Sequence, residues 1–93
     1  MIQVTLRPNR LLEIKGHAET RVCSAVSCLF QTLILYLKNL NLTFDYKIVS
    51  GDSYIKINTF NTNVIVAFDM IVLGLKDIEK DYSKELKIIY DEK

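Results

Sequence analysis

Ile2, Val4 and Leu6 alternate with polar Gln3, Thr5 and Arg7, the period of two that marks a half-buried strand. Arg7, Pro8, Asn9 and Arg10 read as a turn, because Pro fixes one dihedral and Asn tolerates unusual ones. Leu12 and Ile14 resume the alternation up to Gly16, so the chain opens with a predicted β-hairpin. From Thr20, a predicted N-cap, the period changes. Val22, Ala25, Val26, Leu29, Phe30, Leu33, Ile34 and Leu37 recur at three- and four-residue steps, giving an amphipathic helix that Asn39, Leu40 and Asn41 end.

Phe44, Tyr46 and Ile48 predict a third strand. Ser50, Gly51, Asp52 and Ser53 turn the chain, and Tyr54 to Ile57 return as a fourth. Residues 59–63 form a polar connection able to cap a helix. Val64, Phe68, Ile71, Leu75, Ile78 and Tyr82 then predict that second helix, with Ile65, Val66, Met70, Val72 and Leu73 filling its other faces. A helix apolar on every side is expected to be covered on every side, here by the sheet and by a second subunit. Gly74 costs that helix about 1 kcal/mol relative to Ala, and close approach to another backbone is the expected reason. Leu86 to Tyr90 close the chain as a fifth strand. The order β-β-α-β-β-α-β is an α+β two-layer fold, a small antiparallel or mixed sheet packed by two helices.

Composition narrows the function classes. Ninety-three residues make one domain, 1–93, and the 49% hydrophobic fraction is high for so small a chain. That again suggests that a partner covers part of it. Twelve Lys and Arg against eleven Asp and Glu leave a net charge of +1, which gives no electrostatic case for nucleic acid. The opening residues form a strand pattern, with no basic stretch, apolar core and cleavage site of a signal peptide. Apolar runs are interrupted before the ~18 residues that a membrane span needs. Cys23 and Cys28 would point about 140° apart on a helix, at roughly 100° per residue, so they form no disulfide framework. A reduced, cytoplasmic setting is expected.

Reactive groups concentrate in one place. Gly16 and His17, the single histidine, close the second strand, and Cys23 opens the first helix with only five residues, Ala18 to Val22, between. In a first helical turn the backbone N–H groups and the helix dipole favour an anion, and the thiolate is the reactive form of cysteine. An imidazole in reach can take the thiol proton and return it to a leaving amine. Free N–H groups of the turn are expected to receive an oxyanion. Ser27 lies one turn deeper on the same face. A zinc site from His17, Cys23 and Cys28 lacks a fourth ligand and has diverging thiols, so no metal and no cofactor is expected. Cys28 reads as structural, since cysteine is among the residue types most often buried.

The stretch Lys15, Gly16, His17, Ala18, followed by Val22, Cys23, Ser24, Ala25, Val26, Ser27, resembles the ribosomal-processing cysteine protease family, which carries Gly-His-Ala, a loop, and then Val-Cys-Ala-Ala-Val-Ser opening a helix. Leu73, Gly74, Leu75 and Lys76, then Ile78 and Glu79, then Asp81 and Tyr82 and the Leu86, Lys87, Ile88 strand are similar too. The resemblance implies Cys23 as nucleophile, His17 as base and Ser27 as the serine one turn on. It also implies a homodimer that trims an N-terminal extension of a ribosomal protein after aromatic residues. The chain departs from the pattern between His17 and Cys23. The family has a longer, glycine-containing loop with an acid three positions before the cysteine, whereas five residues stand here and Thr20 takes the acid's place. A site without that lid is expected to be open and comparatively preformed.

The expected function is therefore a cysteine endopeptidase with Cys23 and His17 as catalytic residues and Gly16, Thr20 and Ser27 in support. Its expected substrate is a peptide segment. The alternatives are a catalytically weakened dimeric binding or assembly module on the same scaffold, and a structural domain with inert thiols. Accessibility of Cys23 and its nearness to His17 separate them.

Overall fold

The computed structural model describes residues 1–8, 10–58 and 61–91. The turn at Asn9 and the first residues of the connection expected over 59–63 lie outside them. The observed order is β1 (Ile2–Arg7), β2 (Leu11–Gly16), α1 (Thr20–Asn39), β3 (Asp45–Lys47), β4 (Asp52–Lys56), α2 (Thr62–Asp81) and β5 (Leu86–Tyr90). One mixed five-stranded sheet runs β3-β4-β2-β1-β5. All its neighbours are antiparallel except β1 and β5, which are parallel because α2 carries the chain back across one face. The α+β architecture and each of the seven elements are those the hydrophobic pattern predicts.

Strand register follows the inward-facing residues. Val4 lies opposite Ile14 on β2 and Ile88 on β5, and Leu12 lies opposite Ile55 on β4. A one-residue slip would turn this whole row to solvent. The row packs against Val22, Val26, Phe30, Leu33, Ile34 and Leu37 of α1 and against Val64, Phe68, Ile71 and Leu75 of α2. Burying each such side chain contributes about 1.5–3 kcal/mol. By length and composition α1 is apolar enough to cross a membrane, yet these six residues make it a core helix of the domain.

Three readings need correction. The N-cap of α1 is Glu19, whose side chain accepts from the Arg21 N–H at 3.1 Å; Thr20 is already helical. Both residue types can offer an oxygen here, so sequence alone misplaced the start by one position. The third strand is only three residues long, and Ile48 lies beyond it, half exposed. At Gly74 the close neighbour is a side chain, not a backbone: a Cβ there would stand 3.0 Å from Leu29 Cδ1 on α1. The sheet side of α2 is covered, as expected, while Val66, Met70 and Leu73 are 52%, 65% and 64% exposed on the side expected to meet a second subunit.

Candidate active site

Topology gathers the reactive groups at one end of the sheet. The start of β1, the end of β2, the turn before β4 and the start of α1 all meet there. Gly16 ends β2 opposite Ile2, with φ +96°, and a Cβ on it would run into the Met1 carbonyl oxygen. Only glycine fits that approach. The Gly16 N–H donates to the Gly51 carbonyl at 3.0 Å, which ties the segment before His17 to the β3–β4 turn. On the other side the Ile2 N–H donates to the Glu85 carbonyl at 2.8 Å, and the Glu19 N–H donates to Glu85 Oε2 at 3.2 Å. The short segment 17–19 is thus held from both flanks.

Cys23 completes the first turn of α1, its N–H donating to the Glu19 carbonyl at 3.0 Å. The thiol is half-buried and faces Ala18: Sγ accepts from the Ala18 N–H and donates to the Ala18 carbonyl, both at 3.2 Å. The N–H can remain with a thiolate, whereas the carbonyl can serve only the thiol. His17, Cys23 and Ser27 all line one open cleft of about 350 Å³, together with Gly16, Ile14, Val26, Gln31 and the β3–β4 turn. His17 is exposed on its rim. Ser27 Oγ accepts from Gln31 Nε2 at 2.8 Å, so its partner is the next turn of the helix and not the thiol.

Three expectations meet a different arrangement. Thr20 is exposed and does not line the cleft. The first-turn donors expected to be free are partly engaged: the N–H groups of Glu19, Arg21 and Cys23 each have an acceptor. Cys28 is exposed rather than packed, because its position on α1 points away from the sheet. Among the described residues no group of three or more His, Cys, Asp or Glu side chains is placed to hold a metal ion.

The far wall of the cleft comes from residues 48–53, which the sequence pattern marks only as a turn. Ile48 and Val49 supply apolar surface, and Ser50, Asp52 and Ser53 supply polar groups. The one signal for this wall is the glycine in Ser50-Gly51-Asp52-Ser53, and nothing in the pattern aims it at His17.

The description "cysteine protease Prp" belongs to the family whose sequence pattern matches residues 1–87. The chain belongs to the cysteine protease Prp family. Its fold is shared with the essential ribosomal processing protease Prp from S. aureus in complex with a covalently linked product peptide. That likeness has a TM-score of 0.84 at 22% identity and covers 98% of this chain and 100% of that one. The S. aureus protease in complex with a substrate peptide is similar with a TM-score of 0.81 at 16% identity, covering 97% of each chain. SMU.848 from Streptococcus mutans is similar with a TM-score of 0.79 at 21% identity, covering 100% of this chain and 96% of that one. At such identities the structural likeness speaks for the Prp fold, and family membership rests on the sequence match. No curated protein matches the chain.

Proposed function

We propose that this Prp-family chain is a cytoplasmic cysteine endopeptidase that trims an N-terminal extension from a ribosomal or similar protein. Cys23 is its nucleophile and His17 its base. The observation that carries this reading is that the half-buried thiol and the single imidazole open onto one cleft in a chain of this family. The S. aureus protein of the same fold, seen with a covalently linked product peptide, supports the peptide as substrate class.

In the proposed reaction His17 takes the Cys23 proton and the sulfur attacks the scissile carbonyl carbon. A C–S bond forms, the C–N bond breaks, and His17 returns the proton to the leaving amine. Water, deprotonated by His17, then hydrolyses the thioester and restores the thiol. The Ala18 N–H stays on the sulfur while it carries charge. With the His-to-Cys connection reduced to five residues, the cleft is open in advance of substrate. Varied peptides with an aromatic residue before the cut are therefore accepted.

The test is a panel of peptides, one of them copying a ribosomal-protein extension, incubated with wild type, Cys23→Ala and His17→Ala. Cleavage by wild type, a loss of at least about 10³-fold in Cys23→Ala and of about 10²–10⁴-fold in His17→Ala is expected. An intact wild type that cleaves no peptide would favour the binding-module reading. Cleavage of the ribosomal peptide alone would refute the open-site specificity.

The proposal includes a homodimer. Its support is an apolar groove of about 410 Å³ between α1 and α2, lined by Leu33, Tyr36, Val66, Ala67 and Met70.

A further inference from the structure

The geometry points to Gly51 as the positioning residue for the His17 imidazole. This rests on the reading of His17 as the base, and it answers a question that the short His-to-Cys connection raises. The connection holds Thr20 where the family pattern has an acid, and among the described residues the His17 side chain takes no hydrogen bond. An imidazole on the rim of an open cleft has two ring torsions to settle, and a base in the wrong rotamer is costly even when its neighbours are correct. Its orientation here comes from packing on the β3–β4 turn.

A Cβ at Gly51 would stand 2.5 Å from His17 Nε2, 3.0 Å from Cε1 and 3.3 Å from Cδ2. The ring edge that carries Nε2 therefore occupies the space that any other residue would fill with its side chain. Gly51 also has φ +79°, a conformation that L side chains rarely adopt. Its carbonyl accepts from the N–H of Gly16, the residue before His17. One residue thus fixes the backbone entering His17 and shapes the seat under its ring.

The seat is self-supporting. The Asp52 N–H donates to the Val49 carbonyl at 3.0 Å, closing the turn. Ser53 Oγ donates to the same carbonyl at 2.9 Å and accepts from the Val49 N–H at 3.2 Å. Lys47 Nζ pairs with Asp52 Oδ2 at 2.8 Å across the turn. These bonds close the turn on itself, so a methyl added at position 51 displaces the ring before it displaces the turn.

The experiment uses the single histidine as its own probe. Imidazole carbon–proton NMR cross-peaks of His17 are compared in wild type, Gly51→Ala and Gly51→Asn, with core methyl signals reporting the fold. Asn tolerates positive φ better than Ala but carries the same Cβ, so it keeps the test open should the Ala variant fail to fold. Displaced His17 cross-peaks are expected with unchanged core methyls, together with a fall in kcat of about tenfold or more and KM within about twofold. Unmoved cross-peaks in the folded Asn variant would overturn the assignment, as would displaced cross-peaks with kcat within about twofold of wild type. If the cross-peaks move but wild type cleaves no peptide, the positioning stands and the peptidase reading falls.

Discussion

At Gly74 the absence of a side chain lets Leu29 of α1 approach α2, and the stability balance there is a contest between two small terms. Replacing a mid-helix glycine by alanine stabilises by about 1 kcal/mol. The added Cβ would stand 3.0 and 3.3 Å from the two Leu29 methyls, so that side chain must give by a few tenths of an ångström. Leu29 is half-buried against the core, which limits its freedom. We expect Gly74→Ala to gain clearly less than the full amount in wild type and to recover about 1 kcal/mol in a Leu29→Ala background. Urea unfolding at one fixed protein concentration measures both. An equal effect in the two backgrounds would show that Leu29 does not hold the position open.

At the scale of elements, periodicity did most of the predictive work. The change from a period of two to steps of three and four between Ile14 and Val22 marks the passage from β2 to α1, and the strand register follows the same inward residues. Features set by contacts between distant segments stayed hidden. Thr20 and Glu19 both present oxygens to the start of α1, and the choice of Glu19 accompanies its bonds to Arg21 and to Glu85 of a remote segment. The β3–β4 turn was visible as a turn, but its role as the cleft wall depends on β4 pairing with β2, which no local pattern announces. His17 and Cys23 were legible because they are close in sequence. Gly51 and Gln31, which line the same cleft, were not singled out.

For the whole molecule, the open question of cover returns at the outer side of the helices. Leu35 on α1 is 66% exposed, and Val66, Met70 and Leu73 on α2 are exposed too, apolar side chains that a second copy would remove from water. Ile65, in contrast, is half-buried within the chain, so a charge there tests the fold as much as the association. Met70→Asp is the cleaner probe. Sedimentation at micromolar concentration is expected to give a dimer mass for wild type and a folded monomer for Met70→Asp. A monomeric wild type would refute the interface.

The central claim is that Cys23 becomes covalently acylated by a peptide while His17 moves the proton. Mass spectrometry of an acid-quenched reaction with a cleavable peptide tests it most directly, because a thioester survives acid and its site can be mapped. The mechanism predicts an adduct of acyl-fragment mass on the peptide containing Cys23, absent from Cys23→Ala and slow to form in His17→Ala. Turnover with the adduct on Cys28, the exposed thiol about one and a half turns along α1, or an adduct that forms equally fast without His17, would contradict it.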